Sequence, residues 1–343
     1  MFLFVLQYIR YQFYGRYIMY IQMFNGWYFF WLLLLGGATV GLYFLLKDKS
    51  YKTQRIVLFS ILALGLIMHF TKVYYPPYST DEARMLRDSW FVNICGANIS
   101  LFPFMFFSKN KKVKDYMFYI GVISGLIALF YPQEPLAKSN QLGEQLDIIR
   151  FYFHHWMLLA IPLLMVLLKH HKLSYKRVLA APTGLLIVML YIIVNQIFQS
   201  ELGFIPLRDQ GEFFDIGYKN SSYIWGPGTD DAIGNFLAIF TPKIFKTIPV
   251  GEFAGQEKYW PWFWLIVPVY LIVPVLCFLI SLIFDFKQFK AEIKLLPAKI
   301  KALPATVWAW FVRLWTGESA EGKSIAAEIN DEEETEEQLA TVE

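Results

Sequence analysis

Charge is what this chain has least of: 17% of its 343 residues are Asp, Glu, Lys or Arg, where a globular chain carries about a quarter. The net charge of +3 is too small to call for a nucleic-acid partner. Cysteine is scarcer still, with two residues. Cys277 lies in the apolar run LIVPVLCFLI, where a small buried hydrophobe is the expected role, and Cys95 lies in NICGAN among small and polar neighbours. The two are not expected to form a disulfide, and no spacing suits a zinc site, so neither a metal nor a cofactor is expected. No cleavable signal is expected either: the first 26 residues are Tyr- and Phe-rich but interrupted by Gln7, Arg10, Gln12, Arg16 and Gln22, which suits a helix lying on a membrane surface. No inverted repeat is evident, and charges deep inside the apolar runs are few, which speaks against an ion-coupled carrier.

What the chain has in excess is apolar and aromatic surface, at 56% and 19% of residues. Met157 to Leu168 reads MLLAIPLLMVLL without a charge. With Phe151 to Trp156 it reaches the length needed to cross a hydrocarbon core of roughly 30 Å. The pattern recurs at Trp27–Leu46, Ile56–Tyr75, Trp90–Phe107, Tyr116–Tyr131, Phe151–Leu168, Val178–Phe198 and Trp262–Phe284. The expectation is an all-α, polytopic membrane protein with about seven transmembrane helices in a domain spanning 27–284. Lysine and arginine collect after the first, third, fifth and seventh runs, at Lys47/Lys49/Lys52/Arg55, Lys109/Lys111/Lys112/Lys114, Lys169/Lys172/Lys176/Arg177 and Lys287/Lys290/Lys294. The positive-inside rule then puts the N-terminus outside and the C-terminus in the cytoplasm of a cell-membrane protein. Gly37/Gly41 and Gly121/Gly125 have the small-residue spacing of packed membrane helices.

The stretch 199–261 is the least periodic part, punctuated by Gly203, Pro206, Gly211, Gly217 and WGPGTDD, and reads as an extracellular loop. Within it, DDAIGNFLAIF suits a short helix capped by Asp230 or Asp231, and the whole could form a lid. Residues 285–317 begin as a basic amphipathic segment, separated by Pro304 from VWAWFVRLW, whose tryptophans favour the interface. The acidic tail 318–343 has the composition of a disordered segment.

This topology sorts the polar residues by depth. His69, Asn93, Cys95, Asn98, His154, His155, Asn195 and Gln196 all fall near the outer ends of four runs. Unsatisfied polar groups in lipid cost several kcal/mol each, roughly, so a shared outer-leaflet cavity is expected. Cys95 is the strong nucleophile among them, and an imidazole could generate its thiolate for acyl transfer through a thioester. His154 and His155 point about 100° apart on a helix. His155 is preferred because Leu159 and Pro162 continue its face, and Asn93, Asn98, His69 or Asn195 could bind substrate or donate to an oxyanion. The alternative is a transporter or small-molecule binding protein that uses the same cavity without covalent chemistry.

The segment from Trp90 through Cys95 to ISLFPFMFF, the helix RFYFHHWMLLAIPLLMVLL and the sequence Tyr259-Trp260-Pro261-Trp262-Phe263 resemble three features of the YwaF-like bacterial integral membrane proteins. The first is their cysteine helix, the second their histidine helix, the third the entry to their last span. That family is in turn distantly similar to a eukaryotic family that moves acyl groups between phospholipids with a cysteine and a helical histidine. The resemblance implies a seven-span fold, Cys95 in the cysteine position, His154 or His155 in the histidine position, and membrane lipids as partners; it implies nothing about protein partners.

Overall fold

The computed structural model describes residues 20–91, 93–136, 142–202, 222–227, 232–248, 254–256 and 258–316. The expectations for the first 19 residues, for Asp230 and Asp231, for most of the long loop and for the acidic tail lie outside these. The protein is all-helical, a multi-pass membrane protein. Its helices are α1 (Gly26–Leu46), α2 (Tyr51–Thr71), α3 (Glu82–Ser89), α4 (Ile94–Phe107), α5 (Lys111–Phe130), α6 (Leu142–Leu167), α7 (Ala180–Glu201), α8 (Ala232–Ile239) and α9 (Ile266–Thr316), with short turns of helix between them. Six are long and apolar enough to cross a membrane, and α4, at 14 residues, is a shorter seventh apolar helix.

Several boundaries differ from those read in the sequence, and the differences place chemistry. The second and fourth runs start earlier than their apolar cores, because Ser50 and Asn110 cap α2 and α5 through bonds to the Thr53 and Lys112 amides. Lys52, Arg55, Lys111, Lys112 and Lys114 therefore lie inside the first turns of helices rather than in loops. The third run starts later, at Ile94, because Asn93 caps α4 there. At 14 residues α4 is about 21 Å long, roughly 9 Å less than the hydrocarbon core, so it is too short for a full crossing. Pro304 does not end a helix: α9 stays helical through Pro297 and Pro304, and its break is at Asp285 (φ −124°, ψ 20°). The chain divides there into two compact units, Met1–Phe284 and Asp285–Glu343.

α6 is the axis of the first unit, with Tyr152, Met157, Leu158, Ala160, Ile161 and Leu164 all fully buried. It meets α5 along a glycine seam. A Cβ on Gly125 would lie 2.8 Å from the His155 carbonyl oxygen and 2.7 Å from Leu159 Cβ, and one on Gly121 would meet the Leu158 carbonyl and the Phe102 ring. The Gly121/Gly125 spacing is thus a close helix contact. Gly37 and Gly41 of α1, by contrast, have nothing within 4 Å. On the other side Tyr152 stacks on Trp31 of α1 at 4.7 Å, and the Trp156 indole donates to Thr39 Oγ1 at 2.9 Å.

Candidate functional site

The site is built at the end of the bundle opposite the basic loops, around the N-terminus of α4. A helix start leaves four backbone N–H groups without intrahelical acceptors, and burial makes their satisfaction compulsory. Asn93 Oδ1 accepts from the Gly96 amide at 2.6 Å, the Asn93 carbonyl from Ala97 at 2.9 Å, and Ser222 Oγ from Ile94 at 3.1 Å. Cys95 is the second residue of the helix, half-buried and not in a disulfide. Ser222 belongs to a segment sewn across this end. The Trp225 indole donates to Gln196 Oε1 of α7 at 3.1 Å, the Trp264 indole to the Tyr223 carbonyl at 2.8 Å, and the Trp262 amide to the Ile224 carbonyl at 2.6 Å. The described part of the long loop is therefore a fixed cover over α4.

One turn into α4, Asn98 is fully buried. Its Oδ1 accepts from the Tyr116 hydroxyl at 2.8 Å, while its Nδ2 is buried with no hydrogen-bond partner. Asn98 and Cys95, three residues apart, share a helix face. A further turn on, Phe102 on the same face touches the α5 seam at Gly121.

The two adjacent histidines of α6 are held in opposite tautomers by their partners. His154 Nε2 is 2.9 Å from the Gly65 carbonyl oxygen, which can only accept, so Nε2 carries the proton. Its Nδ1 is 3.4 Å from Arg150 Nη1, which can only donate, so Nδ1 carries the lone pair. Both nitrogens of His154 are engaged. His155 is the reverse: Nδ1 donates to the Phe151 carbonyl at 2.8 Å, which leaves the lone pair of the neutral ring on Nε2. No described residue hydrogen bonds to that Nε2. Its ring is also fixed by the Phe151 ring at 4.1 Å.

His69 of α2 is buried, stacked on Phe91 at 5.1 Å and 6.3 Å from the His154 ring, with Nε2 3.4 Å from the Ser89 carbonyl; its Cε1 faces Gly96. The structure thus brings His69 and His154 together on the α2 side of α4, and the backbone carbonyl of His155 lies against Gly125 of α5. Asn93 serves as the helix cap. Asn195 is buried on α7 with Nδ2 unpartnered, and no bond joins it to the other predicted residues.

Sequence reading missed Asp147, Arg150, Tyr78 and Tyr116. Arg150 donates through Nε to Asp147 Oδ1 at 2.8 Å, through Nη2 to the same oxygen at 2.5 Å, and to the Tyr78 hydroxyl at 3.0 Å. Asp147, Arg150 and His154 stand at i, i+3 and i+7, the spacing of one helix face. That spacing was the available signal, masked because the apolar run begins only at Phe151. Tyr116 carried no signal beyond its place at the start of a span.

Apolar helices packed this way, with buried polar residues gathered around the start of α4, define a polytopic membrane protein. The chain belongs to the TMEM164 family, whose model matches residues 16–228. The matched region includes Cys95, His69, Asn98, His154 and His155, and it ends in the cover segment. No curated protein and no solved structure matches the chain.

Proposed function

We propose that this protein transfers an acyl chain between membrane phospholipids, with Cys95 as nucleophile and His155 as base. The observation that carries the proposal is the state of His155. A base must present a lone pair and be held by a third group, and the Phe151 carbonyl fixes the Nδ1–H so that Nε2 carries the lone pair. Helix register supports the pairing with Cys95. Phe102 lies two turns from Cys95 on the same face and meets Gly121, and one turn beyond Gly121 the seam reaches the backbone carbonyl of His155 at Gly125, which puts the His155 turn of α6 beside the helices that carry Cys95 and Phe102. The resemblance to the YwaF-like proteins and their eukaryotic relatives supplies the substrate class.

In this mechanism His155 Nε2 takes the thiol proton as Sγ attacks the carbonyl carbon of a phospholipid ester. The developing oxyanion meets the unpartnered Asn98 Nδ2 donor and the positive end of α4. The ester C–O bond breaks, the glycerol oxygen takes the proton from His155, and a thioester on Cys95 and a lysophospholipid remain. The hydroxyl of an acceptor lysophospholipid then gives its proton to His155 and attacks the thioester, and Cys95 recovers its thiol proton. His69, His154, Arg150 and Asp147 form the opposite wall and position the helix start. By the positive-inside rule the basic loops face the cytoplasm, so the site opens to the outer leaflet of the cell membrane and the N-terminus is outside.

The test is reconstitution in nanodiscs with a labelled phospholipid and a lysophospholipid acceptor. Wild type moves label; Cys95→Ser and His155→Gln, each folded, lose at least 100-fold, the scale of a lost general base. Unchanged transfer in Cys95→Ser would remove it as the nucleophile, and absence of transfer in wild type would favour the non-covalent binding reading.

A further inference from the structure

The basic end of the first unit holds a second polar assembly that the acyl-transfer reading does not use. Lys169 ends α6 in the left-handed region (φ 64°), with the amides of His170 and His171 both turned onto the Met165 carbonyl at 2.8 and 3.1 Å. This turn sends the two histidines in different directions. His171 donates to Asp115 Oδ1 at 2.8 Å, and Arg177 reaches both oxygens of the same carboxylate, at 2.5 and 3.2 Å. His170 instead lies against α2: its Nε2 donates to Gln54 Oε1 at 2.7 Å and its ring sits 4.4 Å from that of Tyr51.

Arg55 stands over the same Tyr51 ring at 5.7 Å and over Phe106 and Phe107 at 5.5 and 5.4 Å, held by three aromatic faces. Lys114, in the first turn of α5, is the chain neighbour of Asp115, and the 2.8 Å bond between His171, the chain neighbour of His170, and Asp115 brings that turn beside His170. Arg55, Lys114 and His170 are half-buried. No ion pair or hydrogen bond to an acid is formed by Arg55, Lys114 or His170 among the described residues. The acids of these turns are already engaged, Asp48 with Lys47 at 3.9 Å and Asp115 with His171 and Arg177. The His170 Nδ1 is buried and has no hydrogen-bond partner. Lys114 sits in the opening turn of α5, where the helix dipole disfavours cations and favours anions, and Arg55 is the fifth residue of α2. Burial first, then the charges of Arg55 and Lys114, lower the pKa of His170.

We infer that Arg55, Lys114 and His170 form a binding site for a phosphate group, supplied by an anionic phospholipid of the leaflet that bathes the basic loops. Arg55 and Lys114 give charge-assisted bonds to its oxygens, and His170, protonated as the anion enters, donates from Nδ1 while Nε2 stays on Gln54. A basic pocket between helices at the end nearest the headgroups is the form such sites take. The inference does not depend on Cys95 or on acyl transfer.

The test uses the detergent-purified full chain and native mass spectrometry, with phosphatidic acid and phosphatidylcholine as probes. Wild type retains phosphatidic acid in preference to phosphatidylcholine, and the Arg55→Gln/Lys114→Gln double variant loses that retention at least tenfold. Lys52→Gln/Lys112→Gln removes the same charge from exposed lysines of the same turns and keeps it. Histidine-detected NMR, assigned with His170→Gln, follows the ring: its pKa rises when phosphatidic acid is added to wild type and does not in the double variant. Inorganic phosphate that raises the same pKa in the absence of lipid assigns the site to free phosphate as well. Equal losses in the two double variants would make the effect bulk electrostatics and overturn the site, as would a His170 pKa unmoved by either probe.

Discussion

Asp115→Ala is the perturbation whose size the structure fixes best. The carboxylate is fully buried and is the shared acceptor for His171 Nε2 at 2.8 Å and Arg177 Nε and Nη2 at 2.5 and 3.2 Å. Removing one partner of a buried charged pair leaves the other unsatisfied and costs about 3–5 kcal/mol. The Arg177 side chain is a quarter exposed, and water can reach part of the guanidinium, so the lower half of that range, about 3 kcal/mol, is expected. Arg177 keeps its bond to the Lys172 carbonyl at 2.7 Å, which limits the loss further. A double-mutant cycle with Arg177→Ala, read by reversible denaturation in mixed micelles, isolates the pair. The expected coupling is about 2 kcal/mol, the scale of a charge-assisted hydrogen bond, with the single Asp115 variant well below wild type. A single-variant loss under about 0.5 kcal/mol, the level of an ordinary surface substitution, would refute the clamp and with it the fixed geometry of the loop that presents His170.

Gly125→Ala drives a methyl against the His155 carbonyl and Leu159, so it should destabilise by about 1–3 kcal/mol in the same assay and impair lipid transfer, whereas Gly37→Ala, in open space, should do neither. Lys169→Gly relieves a left-handed backbone and should stabilise by about 1 kcal/mol; a fall in stability would contradict it. The lowered pKa of His170 means the unfolded chain binds the proton more readily. Its contribution is therefore complete above the ordinary histidine pKa of about 6.5 and is lost as pH falls below it, towards the folded value. Without anionic lipid, melting temperature should drop between pH 7.5 and 5.5, and His170→Gln should flatten that slope; an unchanged slope would contradict the assignment.

The apolar runs made the multi-pass helical architecture legible, because a bilayer demands length and hydrophobicity that nothing else in the chain imitates. Helix starts were less legible, since Ser50, Asn93 and Asn110 set them through caps that lie outside or inside the apolar cores. The start of α4 matters most, for it puts Cys95 in the first turn of a helix, one turn before the buried Asn98. Depth alone grouped Asn93, Asn98, His69 and the two histidines but could not assign their duties. Whether an asparagine caps a helix, as Asn93 does, or offers a buried donor, as Asn98 does, depends on the neighbouring turn. The tautomers of His154 and His155 depend on Gly65, Arg150 and Phe151, and Gly65 is distant in the chain. The clamp on Asp115 joins three positions whose pairing no local spacing encodes.

The most direct test of the proposed chemistry is to look for the acylated enzyme. The protein in nanodiscs is incubated with phospholipid in the absence of a lysophospholipid acceptor, quenched in acid, and its peptides are mapped by mass. The account predicts an acyl mass increment on the peptide containing Cys95, removed by neutral hydroxylamine as a thioester is, and absent from Cys95→Ser. Transfer of label by wild type with no acyl mass on Cys95, or an increment that persists in Cys95→Ser, would contradict it.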